Sequence, residues 1–311
     1  MTSRYLVLGK NGQLGRCLTR TLDARAGCEL VAALGRDEVD LADAASLARL
    51  PEGDLGSADP WLLNAAAYTA VDQCESDVDV CHAVNGDAPG ALADWCRERN
   101  VGFVHVSTDY VFAGDAETPY REDDPTAPRT EYGRSKLAGE VAVLERTPAA
   151  WIVRTSWVFG PGKNFVGAIV RQGVLREAGK AEGPLRVVAD QIGCPTYAGD
   201  LAEAIVTLTQ CNQAGAGGLL HLSNSEACTW WDFARAILDA AGYGHVEIDR
   251  VSTDAFPTPA PRPAYSVLDT TKARGLGIEM RPWREALEDY LAGDDFSALH
   301  QSLRDEVAVA G

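Results

Sequence analysis

Three glycines at fixed spacing follow a short apolar segment near the start of the chain. Tyr5-Leu6-Val7-Leu8 runs into Gly9-Lys10-Asn11-Gly12-Gln13-Leu14-Gly15, and apolar residues then recur at helical spacing as far as Leu22. Short apolar segments bounded by glycine are typical of strands buried on both faces. A glycine turn that opens a helix lets the backbone approach a pyrophosphate closely, although a plain glycine turn is the alternative. The spacing is G-x-x-G-x-x-G rather than the more common G-x-G-x-x-G.

The rest of the first half repeats this strand and helix alternation. Further strands are predicted at Leu30–Ala33, Trp61–Asn64, Phe103–Val106 and Trp151–Val153. Helices are predicted at Gly12–Leu22, Asp43–Leu50 with Asp43 as its N-cap, Ala88–Arg99 and Glu131–Leu144. Buried strands that alternate with helices predict an α/β fold with a doubly wound parallel sheet of the Rossmann type. In that setting the glycine turn is a strong signal for a dinucleotide site.

The second half is less regular. Helices are predicted at Phe165–Arg176, Asp200–Thr209, Trp230–Ala241 and Trp283–Leu291, a sixth strand at Leu185–Val188 and a further short strand at Leu219–Leu222. The segment 256–263 contains four prolines and is predicted to be an extended loop. We expect a dinucleotide-binding domain over residues 1–160 plus about 186–223. A smaller α/β substrate-binding lobe toward the C-terminus is expected over about 161–185 and 224–311, and the two lobes are expected to share one cleft.

The charge balance restricts the partners. The net charge is −17, from 28 basic and 45 acidic residues, so nucleic acid and membrane surfaces are poor partners. The eight cysteines are dispersed, and none shows metal-ligand spacing with histidine. We see no signal peptide and no apolar run of transmembrane length, so we expect a cytoplasmic protein with reduced thiols.

The end of the second predicted strand bears on cofactor choice. An acidic residue about twenty positions after the glycines would bind the ribose hydroxyls of NAD. Gly35-Arg36 stands there instead, and an arginine can bind a 2′-phosphate. We therefore favour NADPH, with NADH also possible, unless Arg36 is only a solvated loop residue. Asp40 lies close enough in sequence to contact the adenine side.

A tyrosine and a lysine stand one helical turn apart in Tyr132-Gly133-Arg134-Ser135-Lys136. The ammonium of Lys136 is expected to lower the pKa of Tyr132, so that its hydroxyl can exchange a proton with a carbonyl oxygen. The fourth predicted strand ends in Ser107-Thr108, and hydroxyls at that end of a parallel strand face the ligand crevice. Thr108 or Ser107 is expected to donate to the same oxygen, with a capping role as the alternative for Thr108.

Longer motifs give these residues a family context. They are Asn64 to Asp72, Ser107 to Phe112, Tyr132 to Glu140, Arg154 to Phe159, Asn164-Phe165, Asp190-Gln191, Pro195-Thr196 and Arg262-Pro263, besides the glycine turn. With these motifs the chain resembles, over nearly its whole length, the dTDP-4-dehydrorhamnose reductases of the extended short-chain dehydrogenase/reductase superfamily. The resemblance implies reduction of the C4 ketone of dTDP-4-dehydro-6-deoxy-L-mannose to dTDP-L-rhamnose by NADPH, the last step of dTDP-rhamnose biosynthesis.

The resemblance also implies roles for individual residues. The catalytic residues would be Tyr132 as proton donor, Lys136 on the nicotinamide ribose and Thr108 on the ketone. Cofactor-binding residues would be Gly9, Asn11, Gly12, Gln13, Leu14, Gly15, Arg36, Asp40, Leu41, Ala65, Ala66, Ala67, Tyr132 and Lys136. Substrate-binding residues would be Thr108, Asp109, Trp157, Asn164 and Arg262, with Trp157 packing on the sugar. Arg262 is a candidate for the pyrophosphate of the nucleotide, but an arginine between prolines can equally brace its loop.

Other residues receive structural interpretations. Trp230-Trp231 opens a predicted helix and is expected in the core, and Asp72 and Glu75 are expected at most to cap a helix. The five histidines form no metal set, so no metal is expected, and a homodimer is one possible assembly.

Two other functions stay open. One is another nucleotide-sugar 4-ketoreductase, of secondary metabolism. The other is a regulatory subunit that binds NADP without turnover, which the presence of Tyr132, Lys136 and Thr108 argues against.

Overall fold

A computed structural model describes residues 2–51, 59–211 and 217–309. Its strands in chain order are β1 Ser3–Leu8, β2 Cys28–Leu34, β3 Pro60–Asn64, β4 Gly102–Thr108, β5 Trp151–Thr155, β6 Val158–Phe159, β7 Leu185–Val188, β8 Ile192–Gly193, β9 Thr196–Tyr197, β10 Gly218–His221, β11 Cys228–Thr229 and β12 Ile248–Val251. Its helices are α1 Gln13–Ala24, α2 Val71–Cys74, α3 Val78–His82, α4 Ala88–Glu98, α5 Glu131–Arg146, α6 Phe165–Glu177, α7 Ala198–Gln210, α8 Trp230–Ala240, α9 Thr271–Gly275, α10 Trp283–Ala292 and α11 Asp294–Val309.

The main sheet has six strands in the order β10-β5-β4-β3-β1-β2. Every adjacent pair in it is parallel. The chain therefore leaves β1 for β2 on one side and returns to β3 on the other, and ligands of open α/β sheets bind at such a reversal of strand order. The predicted doubly wound Rossmann sheet is confirmed.

Each strand of this sheet supplies two cores. Tyr5 and Val7 of β1 pack with α1 and α7, whereas Leu6 and Leu8 pack with α4 on the other face. Successive side chains of a strand point to opposite faces, so a strand covered on both sides has to be apolar throughout. This explains why the first segment shows no alternation of polar and apolar residues. Burial of a leucine such as Leu6 contributes about 1.5–3 kcal/mol.

A second lobe has its own core. Helices α6, α8, α10 and α11 pack around aromatic side chains that include Phe159, Phe233, Trp283 and Tyr290. Helix α8 begins with a capping box, in which Thr229 accepts from the backbone of Asp232 and the Asp232 carboxylate accepts in return. The predicted smaller α/β lobe is therefore present toward the C-terminus.

One strand belongs to a different sheet from the one predicted. Leu185–Val188 is a strand, but it pairs in parallel with Ile248–Val251 rather than joining the main sheet. Val187 is buried in the core of the second lobe. The sixth strand of the main sheet is Gly218–His221, beside Trp151–Thr155. Length and composition alone did not separate these two short apolar segments.

Smaller local elements agree only in part with the sequence prediction. Asp43 caps a 3₁₀ turn at Ala44–Arg49 by accepting from the backbone N–H of Ala45, as predicted, although the turn is not an α-helix. Helices α2, α3, α9 and α11 were not predicted. The eight cysteines are free thiols. Within the described ranges, no helix has the length and apolar character needed to cross a membrane.

Candidate active site

The glycine turn lies between β1 and α1 and forms one end of a cleft of about 870 Å³. Gly9 has a φ of +85°, and a Cβ at Gly15 would lie 2.0 Å from the carbonyl oxygen of Gly9. The N-cap of α1 is Gly12, which has no side chain to satisfy the first N–H groups of the helix. These groups and the positive end of the helix dipole can therefore bind a phosphate.

Small side chains at the end of β3 form the adjoining wall. Ala65, Ala66 and Ala67 line the cleft. Ala65 donates its backbone N–H to the carbonyl of Leu8 at 3.1 Å, and a Cβ at Gly9 would lie 2.8 Å from the nitrogen of Ala66. The glycine turn and the alanine wall, which is formed by Ala65, Ala66 and Ala67, are thus in close backbone contact. In this part of the described chain, the wall presents only the methyl groups of three alanines to the cleft, which leaves room for a dinucleotide.

Charged side chains surround the far end of the glycine turn. Arg36 lines the cleft, and its Nε donates to Oδ2 of Asp40 at 3.3 Å. Lys10 forms an ion pair with Glu38, which also accepts from the backbone N–H of Gly35 at 2.8 Å. Lys10 and Glu38 were not predicted beside the site, because their pairing depends on the approach of two loops. A basic side chain is thus available for a 2′-phosphate.

Helix α5 carries the tyrosine and the lysine into the middle of the cleft. Thr130 caps the helix by accepting from the N–H of Gly133 at 3.0 Å. Tyr132 and Lys136 are both buried and both line the cleft. Nζ of Lys136 donates to the carbonyl oxygen of Val106 at 2.7 Å and lies within hydrogen-bond distance of Nε2 of His105, at 3.3 Å. One helix therefore holds both Tyr132 and Lys136 in the cleft.

The electrostatics of Tyr132 differ from the sequence prediction. Burial raises the pKa of Tyr132, the hydrogen bond with Thr108 opposes this rise, and the charge of Asp109 adds to it. Burial also lowers the pKa of Lys136 to about 8, while the charges of Glu140 and Cys81 raise it. The predicted lowering of the Tyr132 pKa by Lys136 is therefore wrong for the free protein, because desolvation of the phenol is the larger effect.

The end of β4 brings Thr108 and Asp109 beside Tyr132. The Thr108 hydroxyl donates to Oδ1 of Asp109 at 2.8 Å and accepts from the N–H of Tyr110 at 3.3 Å, so Thr108 also has the capping role considered above. Oδ2 of Asp109 has no hydrogen-bond partner among the described residues. Burial raises the pKa of Asp109 to about 6. The hydroxyl of Ser107 instead donates to Glu140 at 2.5 Å, which leaves Thr108 as the hydroxyl beside Tyr132.

Two tryptophans from different elements line the cleft in the second lobe. Trp157 has a φ of +47° and stacks on Trp230, with ring centroids 3.6 Å apart. The indole N–H of Trp230 donates to Gln191 at 3.1 Å. Trp230 and Trp231 pack against the core of the second lobe, as predicted, but Trp230 also lines the cleft, which was not predicted. Its position at the start of α8 gave no signal of this, because the contact with Trp157 is between segments far apart in sequence.

The other two predicted substrate residues differ in position. Arg262 lines the cleft, and it donates to Asp72 across the two lobes at 2.7 Å. Asp72 was expected at most to cap a helix, and its pairing with Arg262 was missed. Asn164 is the N-cap of α6, and its amide donates to the carbonyls of Gly160 and Gly162. Asn164 is not among the residues that line the cleft, because these backbone contacts hold its side chain.

The cleft as a whole suits a dinucleotide and a second ligand. Its volume lies in the upper part of the range for small-molecule sites, about 300–1,000 Å³. The uncapped N-terminus of α1 and the alanine wall fit a pyrophosphate and its nucleosides. In the ranges 2–51, 59–211 and 217–309, no three histidine, cysteine or acidic side chains are grouped to hold a metal ion.

Comparison with known proteins agrees with this geometry. The family model "RmlD substrate binding domain" matches residues 3–295. The chain is 39% identical to the dTDP-4-dehydrorhamnose reductase of Mycolicibacterium smegmatis over 297 residues, which are 94% of this chain and 86% of that protein. It is 43% identical over 290 residues to a Streptomyces antibioticus protein named "Probable dTDP-4,6-dihydroxy-2-methyloxan-3-one 4-ketoreductase", covering 92% and 94% of the two chains.

Solved structures give the same picture. The dTDP-4-dehydrorhamnose reductase of Bacillus anthracis in complex with NADP has a TM-score of 0.82 and 32% identity, covering 94% of this chain and 99% of that chain. The Clostridium acetobutylicum dTDP-4-dehydrorhamnose reductase has a TM-score of 0.83 and 33% identity, covering 93% and 98%. The chain therefore belongs to the RmlD family, that of the dTDP-4-dehydrorhamnose reductases and their near relatives.

Proposed function

We propose that this protein uses NADPH to reduce the C4 ketone of dTDP-4-dehydro-6-deoxy-L-mannose to dTDP-L-rhamnose. The observation that carries the proposal is the grouping of Tyr132, Thr108 and Asp109 next to a dinucleotide-binding turn in one cleft. A ketone needs a proton donor at its oxygen, and a sugar needs hydrogen-bond acceptors at its hydroxyls. The cleft supplies both.

The residues of the first lobe would hold the cofactor. Gly9, Gly12 and Gly15 with the start of α1 would bind the pyrophosphate, and the alanine wall would lie along the dinucleotide. Arg36 would give up its contact with Asp40 and bind the 2′-phosphate. Lys136 would bind the nicotinamide ribose. NADPH, when bound, supplies the hydride for the ketone carbon. Asn11, Gln13, Leu14 and Leu41 complete the proposed cofactor contacts.

The residues at the end of β4 and on α5 would handle the proton. Tyr132 donates its hydroxyl proton to the oxygen on which negative charge develops, and Thr108 stabilises that oxygen by a hydrogen bond. The raised pKa of Tyr132 keeps this proton on the phenol until it is needed. Asp109, whose Oδ2 has no partner in the described chain, would accept from a sugar hydroxyl. Trp157 would pack on the sugar, and Arg262 would bind the diphosphate.

We propose that the two lobes correspond to two functional domains of a cytoplasmic enzyme. The dinucleotide-binding domain would comprise the main sheet and its helices, and the substrate lobe would begin near residue 161. The strand Leu185–Val188 would belong to the substrate lobe because it pairs with Ile248–Val251. Eight free thiols support a cytoplasmic location. We also propose that the protein forms a homodimer, which sedimentation velocity would test.

The direct test mixes the purified protein with enzymatically prepared dTDP-4-dehydro-6-deoxy-L-mannose and NADPH, with NADH in parallel. Loss of reduced-nicotinamide absorbance together with formation of dTDP-L-rhamnose is expected.

Arg36→Met should raise the Kd for NADPH about tenfold or more, because a charge-assisted hydrogen bond contributes about 1.5–3 kcal/mol. NADH binding should be unchanged, because NADH has no 2′-phosphate for Arg36 to bind. Equal binding losses for the two cofactors would contradict the assignment of Arg36.

A second candidate substrate is favoured by one comparison. The Streptomyces antibioticus relative at 43% identity is named as a ketoreductase that acts at C4 of a different dTDP-linked sugar. The fold and the proton donor would be the same, and only the contacts with the sugar ring would differ. A panel of dTDP-4-keto sugars in the same assay separates the two substrates by their kcat/KM values.

A further inference from the structure

Two buried polar side chains behind the alanine wall have no part in the proposed function. Asn64 ends β3, His105 lies in β4, and both are fully buried. They are direct neighbours in the parallel register of these strands. His105 contacts Asn64 through one ring nitrogen and Lys136 through the other. A chain of three side chains therefore leads from a fixed backbone group to the lysine of the active site.

The orientation of the Asn64 amide is fixed at one end of this chain. The backbone N–H of Ala66 donates to Oδ1 of Asn64 at 3.1 Å. A backbone N–H can only donate, so this position of the amide has to be its oxygen. The Asn64 NH₂ group then faces Nδ1 of His105 at 3.0 Å and donates to it. Nδ1 of His105 is therefore an acceptor and carries no proton.

The protonation of His105 follows from that contact. Burial, and next the positive charge of Lys136, hold the pKa of His105 well below its usual range, so the ring is neutral. A neutral imidazole carries one N–H, and with Nδ1 as acceptor this N–H is on Nε2. Nε2 lies 3.3 Å from Nζ of Lys136. An N–H that points at an ammonium opposes another donor, whereas an N–H that points at a neutral amine makes a hydrogen bond.

We propose that His105 is a positioning residue, held by Asn64 in its Nε2–H tautomer, that directs an N–H at Nζ of Lys136 and so disfavours the ammonium form of this side chain in the cofactor-free protein. Nζ of Lys136 still donates to the carbonyl of Val106 at 2.7 Å. The groups that face it from the packed elements are Cys81 of α3 and Tyr132 and Glu140 of α5. Glu140 is itself paired with Arg154 of β5 at 2.6 Å, which leaves its charge partly compensated.

The protonation state has a consequence for the reaction. A Lys136 that is harder to protonate exerts less positive charge on Tyr132, so the phenol more readily keeps the proton that reduction of a ketone requires. Only this consequence rests on the proposed function, because the hydrogen-bond inventory is independent of the substrate. If the C4 ketone is not reduced while His105 has the stated tautomer, the substrate proposal alone fails.

The tautomer can be measured directly in the free protein. Two-bond ¹H–¹⁵N correlation spectra of protein labelled with ¹⁵N-histidine distinguish Nδ1–H, Nε2–H and the imidazolium, and the signal missing from His105→Gln identifies His105. The Nε2–H pattern is expected near pH 7. An Nδ1–H or imidazolium pattern for His105 would overturn the proposal without any further variant.

Asn64→Asp reverses the first contact at nearly constant volume. The new carboxylate can accept from both Ala66 and His105, so the proton should move to Nδ1 and Nε2 should accept from a Lys136 ammonium. We expect the proton-binding constant of Lys136, followed by NMR of its Cε and Nζ, to rise about tenfold or more. Asn100→Asp adds the same charge at an exposed turn after α4 and should change neither signal. An unchanged Lys136 titration in Asn64→Asp would contradict the proposal.

Discussion

At the scale of single residues, Tyr132 combines burial with a position in the cleft. Burial raises its pKa, which suits a proton donor in the reductive direction. Tyr132→Phe removes the proton and keeps the ring, so kcat should fall about 10²- to 10⁴-fold. NADPH binding, measured by fluorescence, should stay within about twofold, because the phenol has only a minor share in cofactor contacts.

Tyr243→Phe is the matched control for this change. The Tyr243 hydroxyl contacts His300 at 2.7 Å in the second lobe, and neither residue lines the cleft, so kcat should be unchanged. If NADPH binding and all biological activity survive in Tyr132→Phe, the enzyme proposal fails and a non-catalytic, NADP-binding regulatory subunit is favoured.

Asp109 gives a second prediction at this scale. Its folded-state pKa is raised from 3.8 to about 6, so the folded protein binds the proton more tightly than the unfolded chain. The sign is that stability is complete below about pH 4 and is lost as pH rises through about 6. Asp109→Asn removes this loss and should raise the free energy of unfolding at pH 7 by about 2–3 kcal/mol.

Urea unfolding at pH 7 and pH 4 tests the Asp109 prediction. The stability difference between Asp109→Asn and the natural protein should be large at pH 7 and nearly absent at pH 4. A difference of equal size at both values would show that the carboxyl group is not desolvated in the way the structure indicates. Weaker substrate binding by the same variant is expected, since Asp109 is proposed to contact the sugar.

At the scale of elements, a buried ion pair fixes helix α5 against the sheet. Glu140 accepts from Arg154 of β5 at 2.6 Å and from Ser107 of β4 at 2.5 Å, and the ion-paired side chains are 2% and 3% exposed. Glu140→Gln leaves the Arg154 charge uncompensated in the core. The free energy of unfolding should fall by about 3–5 kcal/mol, measured by urea denaturation.

A double variant separates the charge effect from packing. Glu140→Leu with Arg154→Met removes both charges and keeps apolar volume, so most of the lost stability should return. The Ser107 hydroxyl then loses its acceptor, which limits the recovery by about 1 kcal/mol. If the double variant is as unstable as Glu140→Gln, packing rather than charge is the main role of the pair.

The sequence predicted what depends on local patterns. The strand before the glycine turn, its helix and the helix that carries Tyr132 follow from periodicity, caps and glycine, and each lies within a few residues of its predicted place. Strand partners did not follow, since Leu185–Val188 and Gly218–His221 are similar short apolar segments that pair with different neighbours. The side-chain pairs Trp157–Trp230 and Asp72–Arg262 join distant segments, so spacing gave no signal for them.

At the scale of the whole molecule, the proline-rich segment 256–263, which we call the strap, connects the two lobes across the cleft. The carboxylate of Asp72, in the first lobe, accepts from the backbone N–H of Ala260 at 3.2 Å and from Arg262 at 2.7 Å. A Cβ at Gly114 would lie 2.5 Å from Pro263, so the strap also packs closely on the first lobe. Arg262 therefore has a protein partner at the place where a diphosphate is proposed to bind.

Two variants decide between a diphosphate-binding and a bracing role for Arg262. If Arg262 binds the diphosphate, Arg262→Met should raise the KM for the dTDP-sugar about 10- to 100-fold, because a charge-assisted contact contributes about 1.5–3 kcal/mol. Asp72→Asn should leave KM equal or lower, since it releases Arg262 from a competing carboxylate. If Arg262 only braces the strap, both variants should raise KM alike and speed hydrogen exchange in 256–263 to the same extent. Steady-state kinetics and hydrogen exchange on the two proteins therefore distinguish the roles.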